Sequence, residues 1–182
     1  MIIIGITGTL GAGKGTVVDY LVKEKGFRHY SVRAFLLEKI RDLGMPENRD
    51  SMLAVGNMLR AEHGPSYAVD QLFLRALESG GNAVIESVRT TGEVASLRQK
   101  GRFVLLAVDA DPKVRYERIV LRNSETDKVS FETFMENEQR ESVSDDPGVP
   151  NLPACIQLAD HVILNNGTIG ELYITLSTIL NL

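Results

Sequence analysis

The sequence has few of the residues that mark secreted, membrane-spanning or disulfide-stabilised proteins. It contains one cysteine, Cys155, no tryptophan and six prolines among 182 residues. A single cysteine excludes an internal disulfide and is typical of proteins in a reducing cytoplasm. No apolar run approaches the ~20 residues of a membrane-spanning helix, and the apolar start lacks the basic segment of a signal peptide. We therefore expect a cytoplasmic protein with no membrane partner.

The chain also lacks an excess of positive charge. Lysine and arginine total 20 against 24 aspartates and glutamates, which gives a net charge of −4. Proteins that bind nucleic acid non-specifically are usually basic overall, so we expect no nucleic-acid partner. Among the basic residues, arginine outnumbers lysine by 13 to 7. Arginine is the side chain best suited to bidentate contacts with phosphate.

A glycine-rich loop stands near the start of the chain. The apolar run Met1–Thr7 is rich in β-branched residues and predicts a strand buried on both faces. The segment Gly8–Thr16 then fits the pattern G-x-x-x-x-G-K, and an apolar helical stripe follows it. Strand, glycine loop, lysine and helix are in the order that a phosphate-binding loop requires.

Each part of this loop has a physical purpose. The glycines let backbone N–H groups approach a polyphosphate, and the helix start adds partial positive charge. Lys14 adds a full charge that reaches the outer phosphates. The predicted nucleotide-binding residues of the loop are Gly11, Ala12, Gly13, Lys14, Gly15 and Thr16. The alternative is a strand–helix turn that is rich in glycine but binds no ligand.

Strands and helices alternate along the rest of the chain. Further strands are predicted at about residues 27–30, 82–86, 102–108 and 159–164, and a loop rich in Pro, Asp and Gly at 144–153. Capping boxes at Thr90 with Glu93 and at Thr168 with Glu171 predict two helix starts. The alternation predicts an α/β fold, a five-stranded parallel sheet with helices on both faces.

Charged residues follow the predicted strands at the edge where open parallel sheets bind ligands. Glu86 ends the third strand, and Arg89 follows it after three residues. Arg118 and Arg122 are four residues apart on one helix, so they should point to the same place. Phosphoryl transfer needs positioning and positive charge, which such a set can supply. The alternative is that Glu86 and Arg89 are ordinary surface charges and that the two helix arginines pair with nearby acids.

The remaining residues capable of metal or nucleophilic chemistry have no such pattern. His29, His63 and His161 are not at metal-ligand spacing, and Cys155 has no second cysteine. We interpret all four as structural.

The segment Gly8–Thr16 resembles the G-x-x-G-x-G-K-G-T loop of adenylate kinases and related nucleoside monophosphate kinases, and the resemblance extends over nearly the whole chain. Glu86-Ser87-Val88-Arg89 resembles the acid-containing strand end of that family, with its arginine for the acceptor's phosphate. Residues 108–122 resemble the segment that enters the family's lid. Residues 159–168 resemble the final strand and turn, which dephospho-coenzyme A kinases share.

The resemblance implies a single P-loop kinase domain over residues 1–182. Its core would comprise residues 1–30, 81–122 and 155–182. An acceptor-binding insert would occupy about residues 31–66, and a short lid about residues 123–141.

The resemblance also implies an activity, the transfer of the γ-phosphate of Mg²⁺-ATP to a nucleoside or deoxynucleoside monophosphate. The implied catalytic residues are Lys14, Arg89, Arg118 and Arg122, with Arg140 a weaker candidate. The implied binding residues are Arg33, Arg60 and Arg89 for the acceptor, Asn166 and Gly167 near the adenine, and Thr16 and Glu86 for Mg²⁺. The implied partner is a small-molecule nucleotide acceptor, and we expect a monomer or small homo-oligomer.

The chain departs from the family pattern chiefly on the acceptor side. Gly15 stands where many phosphate-binding loops have a Mg²⁺-binding Ser or Thr. The usual D-G-x-P-R appears as Glu-Ser-Val-Arg, the insert lacks T-G-D-x-x-R, and the short lid has no cysteines for zinc. Two alternatives therefore stay open. One is transfer to a hydroxyl, as in dephospho-coenzyme A kinases, and the other is a nucleotide-binding switch or sensor with little turnover.

Overall fold

The computed structural model describes residues 1–122, 129–140 and 146–180. The strands in these ranges are β1 (Ile3–Gly8), β2 (Arg28–Ser31), β3 (Ala83–Glu86), β4 (Phe103–Asp109) and β5 (His161–Leu164). The helices in these ranges are α1 (Lys14–Lys23), α2 (Val32–Asp42), α3 (Arg49–His63), α4 (Tyr67–Ser79), α5 (Thr91–Gln99), α6 (Pro112–Arg122), α7 (Phe131–Arg140), α8 (Leu152–Gln157) and α9 (Ile169–Leu180).

The strands form one sheet in the order β2-β3-β1-β4-β5, and every pairing is parallel. β1 lies at the centre, and all six of its residues are buried, as its apolar composition predicts. The predicted five-stranded parallel sheet with helices on both faces is confirmed. Because the strands are parallel, the turns after β1, β3, β4 and β5 meet at one edge of the sheet.

The sheet separates two hydrophobic cores because successive side chains of a strand point to opposite faces. Ile4 and Ile6 of β1 pack in one core with buried residues of α1 and α9, and Val84 of β3 lies in the same core. Ile3 and Ile85 pack in the other core with buried residues of α3, α4, α5 and α8. We call these the α1 face and the α5 face of the sheet.

Side-chain caps fix the start of several helices. Thr90 and Glu93 form the predicted capping box of α5. Thr168 and Glu171 make the second one, because the Thr168 hydroxyl accepts from the Glu171 N–H at 3.3 Å and the Glu171 carboxylate accepts from the Thr168 N–H at 2.7 Å. Such caps satisfy backbone donors that a helix leaves unpaired. Both predictions rest on local chemistry and are confirmed.

The prediction of a loop over residues 144–153 is wrong at its end. Helix α8 begins at Leu152, and the Asn151 side chain caps it by accepting from the Ala154 N–H at 3.0 Å. Pro153 is tolerated because the first turn of a helix does not use its N–H. Cys155 of this helix is fully buried against the sheet, which agrees with its interpretation as a structural residue.

Two predictions touch residues outside the described ranges. The proposed short lid spans residues 123–141, of which the structure describes the stretch that contains α7. The side chain of Arg140 is outside what the structure describes. No helix within the described ranges is long and apolar enough to cross a membrane.

Candidate phosphoryl-transfer site

The predicted phosphate-binding loop joins β1 to α1 and is packed against two other turns of the same sheet edge. Gly11 has φ of 79°, and a Cβ there would lie 2.6 Å from the carbonyl oxygen of Arg115. Gly13 has φ of 99°, and a Cβ there would meet the side-chain amide of Asn165. Both positions therefore require glycine for conformation and for space. The loop is held by α6 on one side and by the end of β5 on the other.

Lys14 lies in the first turn of α1 and points back over the loop. Its Nζ donates to the carbonyl oxygens of Gly8 at 2.9 Å and Thr9 at 2.7 Å. Its pKa is lowered to about 8, first by burial and next by the charge of Arg89. A bound phosphate would reverse this effect, because a nearby anion favours the charged form of lysine.

Three predicted site residues from other segments carry charges that change the pKa of Lys14. Besides Arg89, the charge of Arg122 also lowers the pKa of Lys14, whereas the charge of Glu86 raises it. The structure thus brings together residues from α1, α6 and the end of β3. An excess of positive charge around a buried lysine is an arrangement that favours the binding of an anion.

Arg89 is positioned by the turn that leaves β3. Ser87 has φ of 75°, a conformation that is uncommon for residues other than glycine. The next N–H, of Val88, donates to the carbonyl oxygen of Ile6 at 3.1 Å, and the Arg89 N–H donates to the buried Glu93 carboxylate at 2.7 Å. The backbone of Arg89 is therefore fixed, while its side chain is exposed.

Arg118 on α6 has a partly buried side chain. Its Nη1 is buried and has no hydrogen-bond partner in the described part of the chain. Neither Arg118 nor Arg122 pairs with an acid among the described residues, so the alternative of a structural ion pair is not observed for them. A buried guanidinium donor without an acceptor is costly unless a ligand supplies one.

Arg115 was not predicted as a site residue, and it is the most buried arginine of α6. Its side chain is 4% exposed and makes a bidentate pair with Glu138 of α7 at 2.6 and 2.9 Å. Its Nε donates to the carbonyl oxygen of Ala110 at 2.8 Å. Arg115, Arg118 and Arg122 follow the spacing i, i+3, i+7, which places them on one helix face. That spacing is the sequence signal that could have identified it.

The predicted Mg²⁺ ligands are a hydroxyl on α1 and a carboxylate at the end of β3. Thr16 lies in the first turn of α1. The hydrogen bond from His29 is the main cause of a lowered pKa for Glu86, so this carboxyl stays ionised. Oxygen ligands of this kind are those that Mg²⁺ prefers. No cluster of three acidic, histidine or cysteine side chains that could hold a metal occurs among the residues described.

The turn after β5 contains the residues predicted to lie near the adenine. Asn166 accepts from the Asp111 N–H at 2.8 Å, and Gly167 lies against the Glu171 carboxylate. The adjacent Asn165, which was not predicted, is 8% exposed and donates to the carbonyl oxygen of Ala12 at 2.8 Å. The turn is thus tied directly to the phosphate-binding loop.

The structure brings together only two of the three predicted acceptor-binding residues. Arg60 on α3 lines a cleft that also contains the buried Glu93, and its charge acts on Glu93 together with that of Arg89. Its Nη2 donates to the Asn57 side chain at 2.8 Å. Arg33 on α2 is exposed, and no contact within the described ranges joins it to this group. The structure groups Arg60 with Arg89 and leaves Arg33 apart.

Known structures of similar architecture include kinases. The chain aligns with shikimate kinase from Bacteroides thetaiotaomicron at a TM-score of 0.60 and 13% identity, over 100% of this chain and 99% of that one. It aligns with a gluconokinase from Sinorhizobium meliloti at a TM-score of 0.55 and 12% identity, over 99% and 91%. These likenesses, together with the loop and the sheet, define the class: a P-loop protein with a kinase-like fold.

Sequence relatives define the family. The family described as an AAA domain matches residues 4–144. A UPF0200 protein of Methanococcus vannielii is 30% identical over 168 residues, which cover 91% of this chain and 87% of that protein. A UPF0200 protein of Thermococcus kodakarensis is 31% identical over 178 residues, covering 94% and 91%. The chain therefore belongs to the AAA-domain family and to the UPF0200 proteins.

Proposed function

We propose that the chain is a phosphotransferase that moves the γ-phosphate of Mg²⁺-ATP to the phosphate of a nucleoside or deoxynucleoside monophosphate. The observation that carries this proposal is the convergence of cations on Lys14 from separate segments. Arg89 and Arg122 both lower the pKa of Lys14, and Arg118 has a buried guanidinium nitrogen without a partner in the described ranges. Binding a nucleotide alone needs fewer cations than stabilising a transferring phosphoryl group.

On the donor side, Lys14 would bind the β- and γ-phosphates with the backbone N–H groups of Gly11–Thr16. Asn166 and Gly167 would lie near the adenine. Arg118 and Arg122 would neutralise the oxygens of the transferring group, whose charge is spread over three positions in the transition state. The unpaired Nη1 of Arg118 supports this role, because a phosphate oxygen would satisfy it.

Thr16 and Glu86 would hold Mg²⁺ together with the phosphates and water. The ion would neutralise charge that develops on the β- and γ-phosphate oxygens. The residues present fit this ion, because both offer oxygen and Glu86 remains ionised. Too few acids lie together in the described part of the chain to hold a metal without the nucleotide.

On the acceptor side, Arg89 and Arg60 would bind the phosphate of the monophosphate, and Arg33 would assist from α2. A second phosphate needs its own cation, and a hydroxyl acceptor does not. The exposed Arg89, whose charge acts on Lys14, therefore favours a phosphate acceptor. We also propose that the protein acts in the cytoplasm, as a monomer or small homo-oligomer.

Transfer to a hydroxyl is the second candidate, and Glu86 is the observation that favours it. A carboxylate near Lys14 could accept the proton of an attacking hydroxyl. Its lowered pKa weakens it as a base, so we rank this function second.

One experiment distinguishes the proposed function from transfer to a hydroxyl and from a nucleotide-binding switch or sensor. The purified protein is incubated with Mg²⁺-ATP and, in separate reactions, with a panel of ribo- and deoxyribonucleoside monophosphates, dephospho-coenzyme A, shikimate and gluconate. ADP formation is followed, and the phosphorylated product is identified by mass. Transfer to one or more monophosphates is the expected result. Transfer only to a hydroxyl acceptor would establish the second candidate, and tight ATP binding without transfer would indicate a switch or sensor.

A further inference from the structure

His29 was interpreted as structural, yet it lies beside a predicted metal ligand. It belongs to β2, an edge strand that pairs with β3. In that register His29 stands opposite Val84, and Ser31 stands opposite Glu86. Side chains two residues apart in a strand share a face, so His29 and Glu86 are diagonal neighbours on one face of the sheet.

The two side chains make a direct hydrogen bond. Nε2 of His29 is 2.9 Å from Oε2 of Glu86. An ionised carboxylate can only accept, so the ring nitrogen must donate. Within the ranges that the structure describes, His29 is the hydrogen-bond partner of the Glu86 carboxylate. The bond occupies one carboxylate oxygen and leaves the other for a ligand.

The shared face is the one that carries the phosphate-binding helix. Val84 is buried in the core of the α1 face, and Glu86 follows it by two residues. Glu86 is also close enough to Lys14 for its charge to act on the lysine. The carboxylate that His29 holds therefore lies on the face of the sheet that carries Lys14, within range of the charge of that lysine.

From this geometry we infer that His29 is a positioning residue, which orients the Glu86 carboxylate toward the Mg²⁺ of a bound Mg²⁺-nucleotide. The inference rests on the proposed function. Groups that hydrogen-bond to a metal's carboxylate ligand set its orientation and typically change metal affinity 10- to 100-fold when removed. The fold does not depend on the contact, because the two side chains are 38% and 26% exposed and such pairs contribute little to stability.

The test measures metal binding and does not depend on turnover. The affinity for an ATP analogue with a non-hydrolysable β–γ bridge is determined by calorimetry in EDTA and over a Mg²⁺ titration, and Mn²⁺ binding to the same complex is followed by electron paramagnetic resonance. Mg²⁺ should increase the affinity for the ATP analogue. In His29→Ala, the Mg²⁺ concentration that gives half of this increase should rise about 10-fold or more. Affinity in EDTA should be unchanged.

The chain offers a matched control at the opposite edge of the sheet. His161 begins β5, the other edge strand, and its side chain is also exposed. His161→Ala should leave the Mg²⁺ titration unchanged. His29→Gln keeps a side-chain N–H donor and should recover part of the loss, whereas Glu86→Gln should show at least the loss of His29→Ala. Thermal unfolding of each variant verifies that it is folded.

Three results would overturn the inference. The first is an unchanged Mg²⁺ titration in His29→Ala while Glu86→Gln is impaired. The second is an equal loss of affinity in EDTA, which would mean that His29 acts on the nucleotide and not on the metal. The third is a wild-type protein whose nucleotide affinity does not respond to Mg²⁺. The proposed function fails separately, if the metal titration behaves as expected but no monophosphate is phosphorylated.

Discussion

The proposed donor side and the proposed acceptor side of the site are held by the protein in different ways. On the donor side, the loop that contains Lys14 is fixed by Asn165 and by the backbone of Arg115, and Arg115 itself is buried in an ion pair with Glu138. On the acceptor side, Arg89 has an ordered backbone but an exposed side chain. The loop of the proposed donor side is preformed, whereas the exposed Arg89 side chain of the proposed acceptor side would be ordered only when an acceptor binds.

This difference has consequences for substrate choice. Because the loop that contains Lys14 is preformed, little conformational entropy would be lost when a nucleotide binds to it. On the proposed acceptor side, the exposed side chains of Arg33 and Arg89 would lose conformational freedom when they bind a phosphate. We therefore expect mutations on the two sides to have separable effects.

The largest effect is expected from Lys14→Ala. Loss of the charge over the outer phosphates should lower transfer by about 10²–10³-fold, the usual result of removing one electrostatic contact to a transition state. The fold should persist, since the hydrogen bonds of Lys14 are to the loop that it covers. Steady-state kinetics with the best acceptor from the panel measure the effect. Lys113→Ala, an exposed lysine on α6, is the control, and unchanged turnover in Lys14→Ala would contradict the donor assignment.

Arg115→Ala tests whether the donor side is held by its buried ion pair. The substitution removes a buried guanidinium that makes a bidentate pair with Glu138 and donates to the carbonyl oxygen of Ala110, which should lower the free energy of unfolding by roughly 2–4 kcal/mol. Chemical denaturation measures this change. The exposed pair of Arg41 with Glu47 is the comparison, and Arg41→Ala should leave stability within error. An Arg115→Ala variant of unchanged stability would mean that other contacts hold the loop of the donor side in place.

Arg89→Ala separates the two sides directly. The variant should weaken acceptor binding about 10- to 100-fold, as expected for the loss of a charge-assisted phosphate contact. Affinity for ATP should change much less, because Lys14 and the loop remain. Acceptor KM and ATP affinity are measured in the same preparation. If both weaken by the same factor, Arg89 faces the donor and the division into two sides is wrong.

Binding of ATP should take up protons near pH 8. With a pKa of about 8, Lys14 is half protonated there, and a phosphate that raises its pKa would draw in about half a proton per nucleotide. Folding has the opposite sign. The pKa of Lys14 is below that of an unfolded lysine, so folding releases protons between about pH 8 and 10.5 and the contribution of Lys14 to stability rises with pH over that range. Calorimetry in buffers of different ionisation enthalpy measures the uptake, and Lys14→Ala should abolish it.

The smallest effects are expected within the acceptor side. Arg60 lies in the cleft with Glu93, whereas Arg33 is exposed away from it. Arg60→Ala should therefore raise acceptor KM more than Arg33→Ala, whose change should stay within about threefold, as for exposed charges in general. Equal effects would show that α2 and α3 close together over the acceptor.

The sequence predicted the elements well where the signals are local. β1, the loop and α1 follow from composition and glycine spacing within one short stretch. The capping boxes at Thr90 and Thr168 were correct for the same reason. The start of α8 was missed because Pro, Asp and Gly upstream of Leu152 are also typical of a loop, and its single buried anchor, Cys155, is not recognisable without the sheet.

What the sequence by itself determined is the order of elements and the chemistry each one carries: a β-branched strand, a glycine loop with a lysine, and arginines at helical spacing. Only the tertiary structure decided which of these side chains meet. Arg115 turns inward to Glu138, Asn165 reaches the loop, and His29 holds Glu86. Those contacts depend on strand register and on how α6 and α7 cross, and both are set by packing between residues far apart in the chain.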